Sequence, residues 1–525
     1  MRGAGIAALL GLIGFAACNR QPASRQQQAT SSNAPTPCED LAKLSLPNTT
    51  INVAERVPAG AFLPPPGAPA SAAPGAPKVS YAGLPPFCRV AATVKPVPDS
   101  EIRLEVWMPL EHWNGKFVGT GNGGAAGFVF LFSLAEPLAR GYAVANTNTG
   151  HEGGLADWSF AVGHAEKLID HGYRAIHEMT VKSKAIVAAH YGTAARQSYW
   201  TGCSSGGRQG LMEAHRFPED YDGIAASAPA NNWVPLMAHA AMIQRAMTDP
   251  AVPLPPEKLT LVKESAIAAC DAADGVRDRV VSDPQTCKFD PGVLQCPSGD
   301  GPNCLTPRQI EAVKRVYRGV VNPRTGEQLF PGPEPTSELQ WPVFTPAVFP
   351  VGRNYFRDIV FNDPAWDVAA LDFDADIARA RKVSDDVLAM TDPDLTAFVQ
   401  RGGKLLLWHG WTDGLITPRN TINYYNSVVA KMGASKVTDH IRLFMAPGVN
   451  HCSGGEGPST VDYLSALEQW VEDGKAPERI IASGALDRGA MRTRPLCPYP
   501  QIAKYKGQGS PDDAANFECV APKVP

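Results

Sequence analysis

Gly202-Cys203-Ser204-Ser205-Gly206 fits the pattern G-x-S-x-G with Ser204 at its centre. Ser205 does not fit, because Cys203 and not a glycine stands two residues before it. A serine on a sharp turn between strand and helix needs backbone with almost no side chains around it, and flanking glycines provide that. The context agrees: "QSYWT" reads as a strand before the turn and "GRQGLMEAHRF" as a helix after it. Such a turn presents the Ser204 hydroxyl as a nucleophile. The Ser205 backbone N–H, at a helix N-terminus, is then free to face a developing oxyanion.

A hydroxyl nucleophile needs a base, and the base needs an orienting acid. Where this turn sits at the end of a parallel sheet, the chain order is Ser, then Asp or Glu, then His. Asp413 follows the apolar run Lys404–Trp408, and His451 follows Ile441–Met445 in "APGVNHCSGG". His409 precedes Asp413 and would reverse the order, so it reads as orienting backbone or lining the site. Asp439 precedes its strand and lies at the wrong end of the sheet. Cys203 stands directly before Ser204, and Cys452 directly after His451. A bond between them would pin the nucleophile loop to the base loop. Closing a loop of roughly 250 residues stabilises by about 4–5 kcal/mol in the chain-entropy model. It would also fix the serine–histidine distance, where small displacements are expensive. The thiol is a fastener, and Ser204 is the nucleophile.

The elements that must position these residues follow from periodicity. From Ile102 onward, strand patterns at Arg103–Trp107, Lys116–Thr120, Ala143–Asn146, Ser198–Thr201 and Gly223–Ala226 alternate with helical ones, most clearly over 172–192. The proline-rich stretch Pro58–Pro77 forms no regular element. After about Asn231 the regularity fades, with scattered helices such as Pro307–Tyr317. It returns at "GGKLLLWHGWTDG" (402–414) and continues to a helix over Val461–Asp473. The pattern predicts an α/β domain in two parts, 38–231 and 389–525, with a lid inserted over 232–388.

Composition narrows the class. Charged residues make up 19% of the 525 and the formal net charge is −4, with no basic stripe interleaved with aromatics, which argues against nucleic-acid binding. Arg2, the apolar run Ile6–Ala17 and Phe15-Ala16-Ala17-Cys18 read as a lipoprotein-type signal peptide over 1–18, followed by a flexible tether over 19–37. The expectation is an exported protein, a periplasmic or outer-membrane lipoprotein anchored through Cys18, with simple secretion as the alternative. Removing Cys18 from the 11 cysteines leaves an even number, as disulfides in an exported chain require. No CxxC pair suggests zinc. "CDAADGVRDRVV" (270–281) crowds Asp271, Asp274 and Asp278 around Gly275. Carboxylates so close repel unless a cation neutralises them, and hard oxygen donors suit calcium, although the order is not that of an EF-hand.

Taken with "WNGKFVGTGNGGAAG" (113–127), "GYAVANTNTGH" (141–151), "GCSSGG" (202–207), "WHGWTDGLITP" (408–418) and "VNHC" (449–452), the chain resembles the tannase and feruloyl esterase family. That family also includes the mono(hydroxyethyl) terephthalate hydrolases, and the resemblance covers roughly residues 38–520. It implies an α/β-hydrolase domain with an inserted lid, no organic cofactor, and a disulfide between Cys203 and Cys452. It further implies the pairs Cys38–Cys88, Cys270–Cys287, Cys296–Cys304 and Cys497–Cys519; for the two lid pairs, sequence proximity points the same way. The second oxyanion donor would be the backbone N–H of Gly123 or Gly124. The lid calcium ligands would be Asp271, Asp274, the Val276 carbonyl, Asp278 and the Val280 carbonyl, in a structural role far from bond cleavage.

The expected activity is hydrolysis of small aromatic esters, feruloyl or galloyl in type, through an acyl-enzyme. Terephthalate monoesters are the alternative, and Arg353 or Arg357 could pair with their carboxylate. Ile416, where that branch carries an aromatic residue, argues against them. "NYFRDIVFNDPAWD" (354–367) reads either as a lid wall facing the site or as core. A peptidase, a thioesterase, or a non-catalytic lipid-anchored binding protein complete the alternatives.

Overall fold

A strand buried on both faces of a parallel sheet can be apolar throughout, and this explains the uninterrupted aliphatic runs. In the computed structural model, which describes residues 34–69, 78–486 and 489–522, they form one nine-stranded sheet. Its strands are β1 (Thr49–Val57), β2 (Phe87–Val94), β3 (Ile102–Pro109), β4 (Lys116–Thr120), β5 (Ala143–Thr147), β6 (Gln197–Cys203), β7 (Gly223–Ser227), β8 (Lys404–Gly410) and β9 (Ile441–Ala446). The spatial order is β1-β2-β3-β5-β4-β6-β7-β8-β9. The first pairings, through β3–β5, are antiparallel, and the rest from β5 to β9 are parallel.

The period of two sorts side chains onto opposite faces. Ile224, Ala226, Leu405 and Leu407 pack with the helices Ala175–Tyr191 and Pro418–Met432 on one face. Their neighbours Ala225, Leu406 and Trp408 pack with Leu134 and Leu138 of the helix Leu131–Ala139 and Leu464 and Leu467 of the helix Tyr463–Asp473 on the other. The last helix starts at Tyr463 and not at Val461, which instead joins a small strand, Thr460–Val461.

β7 and β8 are adjacent in the sheet, with Leu405 opposite Ile224, yet the chain between them runs from 228 to 403. This excursion carries the helices Trp233–Thr248, Pro256–Cys270, Pro307–Arg318 and Ala375–Leu388. It buries its own apolar cluster, including Trp233, Ile243, Val313, Phe330, Trp341 and Tyr355. Thr306 shows how the sequence sets these elements. Its hydroxyl accepts from the Gln309 N–H while the Gln309 side chain accepts from the Thr306 N–H, and Pro307 opens the helix.

All five expected disulfides are formed: Cys38–Cys88, Cys203–Cys452, Cys270–Cys287, Cys296–Cys304 and Cys497–Cys519. Cys18 and the signal segment lie outside the described residues. Among the described residues no helix is long and apolar enough to cross a membrane.

Candidate active site

β6 ends at Cys203 and the helix Ser205–Arg216 begins two residues later, so Ser204 alone makes the turn, with φ +63° and ψ −121°. This is a costly backbone for a residue with a side chain, and such strain persists only where surrounding contacts over-determine it. Here the Ser204 N–H donates to the Ser227 carbonyl (3.0 Å), and the Ser204 carbonyl accepts from Arg208 and Ala230 (3.1 Å each). The flanking glycines meet each other: a Cβ on Gly202 would come within 2.7 Å of the Gly206 backbone. A Cβ on Gly121 would come within 2.5 Å of the Gly206 Cα, so the loop after β4 also closes against the turn.

That loop carries Gly123 and Gly124. Gly124 has φ +54°, and a Cβ there would strike the Leu155 carbonyl at 2.3 Å. Its carbonyl accepts from the Ser205 hydroxyl (2.8 Å), tying the loop to the nucleophile turn, and Asn122 N–H donates to Gln209 (3.0 Å). Among the described residues neither the Gly123 nor the Gly124 N–H donates within the chain, and Ser205 heads its helix without an intrahelical acceptor. All three line the same cavity as Ser204 and His451.

Asp413 lies beyond the C-terminal end of β8 and is fully buried. Its Oδ2 is 2.7 Å from His451 Nδ1 and 3.0 Å from His409 Nε2, while its Oδ1 accepts from the Leu415 and Ile416 N–H groups (2.8 and 2.9 Å). Burial alone would raise this carboxyl, but the charge of His451 and the hydrogen bonds from both histidines outweigh it and hold Asp413 well below the usual carboxylate range. His409 does not line the cavity. Its Nε2 faces two acceptors, Asp413 Oδ2 and the Ile416 carbonyl (2.8 Å), so it carries the proton, and Nδ1 accepts from Thr421 Oγ1 (2.7 Å). The structure brings together Asp413 and His451, the pair that the chain order picks out, and adds a second histidine, His409, on the far side of the carboxylate.

The Cys203–Cys452 bond joins the residue before Ser204 to the residue after His451, with their Cα atoms 6.0 Å apart. No direct hydrogen bond links Ser204 Oγ to His451 among the described residues; such bonds often tighten only with substrate in place.

The cavity has a volume of 720 Å³. Phe130, Phe132, Leu236, Met237, Phe344 and Ile416 give it apolar walls, and no lysine or arginine lines it. Arg357 is held by Asp358 through two hydrogen bonds (2.6 and 2.7 Å), and Arg353 reaches only its neighbour Asn354 (3.5 Å). Neither faces the cavity. Of the stretch 354–367, Tyr355, Phe356, Val360 and Trp366 are core, as the second sequence reading had it, and the lid wall comes from Val343–Val351 just before it.

Away from the cavity, the acidic loop is bent by left-handed backbone at Gly275 (φ +96°) and Arg279 (φ +71°). Asp271 accepts from the Asp278 and Arg279 N–H groups (3.3 and 3.1 Å). Asp274 accepts from Val276 N–H and the Ser282 hydroxyl (3.0 and 2.5 Å). Asp278 pairs with the buried Arg494. Arg492, shared with Asp512 (2.7 Å), also faces Asp278 at 3.8 Å, while among the described residues no cationic side chain forms an ion pair with Asp271 or Asp274. Burial pushes the Asp274 carboxyl upward. Hard oxygen donors with uncompensated negative charge suit calcium, although the three carboxylates are spread wider than the 4.8 Å within which His177, Glu213 and Asp220 gather. In that second cluster burial, then Asp220, raises Glu213 far above the usual carboxylate range. The acidic loop is also less remote than expected. Val280 reaches within 3.3 Å of where a Cβ on Gly448 would stand, three residues before His451, and Arg279 pairs with Glu456 (3.3 Å).

A buried acid, an oriented histidine and a serine on a strained strand–helix turn, at the C-terminal ends of parallel strands, define an α/β-hydrolase. A family model described as "Tannase and feruloyl esterase" matches residues 88–520, and the chain belongs to that family of carboxylic ester hydrolases. It is 39% identical to an uncharacterized esterase of Xanthomonas campestris, covering 94% of this chain and 92% of that one. It is 33% identical to a probable feruloyl esterase B-2 of Aspergillus fumigatus, covering 91% and 94%. The crystal structure of feruloyl esterase B from Aspergillus oryzae superposes with a TM-score of 0.84 at 30% identity, over 92% of this chain and 99% of that one. Tannin acyl hydrolase from Aspergillus niger shares the fold, with a TM-score of 0.75 at 22% identity.

Proposed function

We propose that this chain is an exported serine esterase acting on aromatic esters of feruloyl or galloyl type, and that Ser204, His451 and Asp413 are its catalytic residues. The observation that carries the reading is the Asp413–His451 pair facing, across a disulfide, a strained serine at the wall of an apolar cavity. His451, held through Nδ1 by Asp413, takes the Ser204 proton as Oγ attacks the ester carbonyl. The N–H groups of Ser205 and of Gly123 or Gly124 stabilise the tetrahedral oxyanion. Its collapse expels the alcohol, protonated by His451, and leaves an acyl-enzyme that water hydrolyses by the same steps.

A cavity of this size suits an aromatic acyl group. With no cation in its wall, it offers a carboxylate-bearing substrate nothing to pair with, which favours phenolic esters over terephthalate monoesters. Asp271, Asp274 and Asp278, with the Val276 and Val280 carbonyls, would hold a calcium ion, which supplies charge neutralisation to the loop. The signal segment and Cys18 support placement as a periplasmic or outer-membrane lipoprotein, with secretion as the alternative.

The test is turnover of methyl ferulate, methyl gallate and mono(hydroxyethyl) terephthalate by the oxidised, calcium-replete protein beside Ser204→Ala. Cleavage of the phenolic esters, abolished by the substitution, is expected. Preference for the terephthalate monoester would overturn the substrate class, and equal turnover by Ser204→Ala would overturn the nucleophile.

A further inference from the structure

A side chain from the excursion between β7 and β8 sits between the loops that carry the acid and the base. Gln340 belongs to the short 3-10 helix Glu338–Phe344. Its Nε2 donates to the Thr412 carbonyl and to Asn450 Oδ1 (3.0 Å), and its Oε1 accepts from the His451 backbone N–H (3.3 Å). Asn450 Oδ1 also accepts from the Thr412 hydroxyl (2.9 Å). One amide therefore engages the residue before Asp413, the residue before His451, and the backbone of His451 itself. Two acceptors against Nε2 and one donor against Oε1 leave the amide a single orientation.

The platform under Gln340 is firm. Glu338 is fully buried and accepts from Tyr317 and from the Thr336 N–H (2.9 Å). The Trp341 indole donates to Ser337 Oγ (3.2 Å), and Glu334 pairs with Arg419 at the start of the helix after β8. The contact is close on the other side as well: a Cβ on Gly414 would meet the Gln340 Cβ at 3.0 Å and the Ser337 carbonyl at 3.2 Å. Gln340 does not line the substrate cavity.

We propose that Gln340 is a positioning residue, through which the seating of the lid sets the distance between Asp413 and His451. The inference rests on the triad reading above. Hydrogen bonds spanning both loops are worth most where a displacement of about 1 Å can cost on the order of a hundredfold in rate. Because the side chain never touches the cavity, its loss should fall on kcat and leave KM nearly alone.

The experiment compares Gln340→Ala and Gln340→Met with the full oxidised protein. Each is measured for kcat and KM on a cleaved aryl ester, for the rate of covalent labelling of Ser204 by a fluorophosphonate, and for thermal midpoint. Methionine keeps the volume without the hydrogen bonds, so packing and positioning separate. The expected result is a fall in kcat and labelling rate of about ten- to a hundredfold in both variants, with KM changed less than about threefold and the thermal midpoint retained. Wild-type kcat in Gln340→Met, or a KM rise matching the loss, overturns the proposal. A wild-type protein that the phosphonate does not label overturns the triad reading instead, and the two failures are distinct.

Discussion

Asp413 shares one oxygen between two imidazoles, and the two do different things. His451 stands at the cavity wall and His409 behind it, in a fixed tautomer set by Thr421 and the Ile416 carbonyl. With Oδ1 already held by the Leu415 and Ile416 N–H groups, His409 adds a second donor at Oδ2 that fixes the direction in which this oxygen meets His451. His409→Phe keeps the ring and removes the hydrogen bonds. Steady-state kinetics should show kcat lowered about tenfold or more at nearly unchanged KM. His409→Gln, whose amide can still donate to Asp413, should recover part of the loss, and equal rates for all three proteins would deny His409 this role. The sequence order excludes His409 as the base but carries no sign of its second bond, which depends on how the chain folds back from Ile416. Gln340 was invisible for a related reason: a glutamine in "ELQWPVF" has no spacing signature, and its meaning comes from contacts with residues over 70 positions away.

At the scale of elements, the strands of the parallel sheet were legible because burial on both faces demands uninterrupted apolar runs. The later strands Ile480–Ala485, Met491–Leu496, Ile502–Tyr505 and Phe517–Val520 were not, because they are half exposed and read as "MRTRPL" or "IAKY", without a clean alternation. The acidic loop belongs here too. Chemistry picks out its carboxylates, but only the fold reveals that Val280 and Arg279 rest against the segment leading into His451. On the proposal that calcium sits here, removing it with a chelator should do two things. The thermal midpoint should fall by several degrees, and kcat should fall at temperatures where the protein is still folded. Calcium should restore both, and magnesium, which demands a tighter octahedral shell, should restore them poorly. A midpoint indifferent to chelator would remove calcium from the account.

For the whole molecule, acid bears on stability through its buried histidines. His239, in the helix Trp233–Thr248, is fully buried with no well-formed hydrogen bond at either ring nitrogen among the described residues; burial lowers it to about 4, although Asp413 and the Gly414 backbone pull the other way. His151 is likewise lowered to about 4 by burial, and His171 falls well below its ordinary value. Each folded-state value lies below that of the unfolded chain, near 6.5, so the unfolded state binds the extra proton first. The stability they contribute is present above pH 6.5 and drains away as pH falls towards 4, by up to about 3 kcal/mol for His239 alone. Urea midpoints at pH 7 and pH 4.5 should differ less in His239→Leu than in the wild type, with His151 and His171 keeping some slope. An unchanged difference would show that His239 is protonated in the folded state.

The bond between Cys203 and Cys452 spans 249 positions, and four other cysteines, at 270, 287, 296 and 304, lie between its ends. During synthesis Cys203 emerges long before its partner, as a free thiol beside Ser204, and meets each of those four first. The native pattern nests two short lid bonds inside the long one. Early mispairing of Cys203 must therefore be undone by thiol exchange before the base loop can close onto Ser204. On the proposed triad, assembly of the active site would thus be a late event in maturation, favoured by oxidising conditions that allow disulfides to reshuffle and withheld from a chain kept reduced.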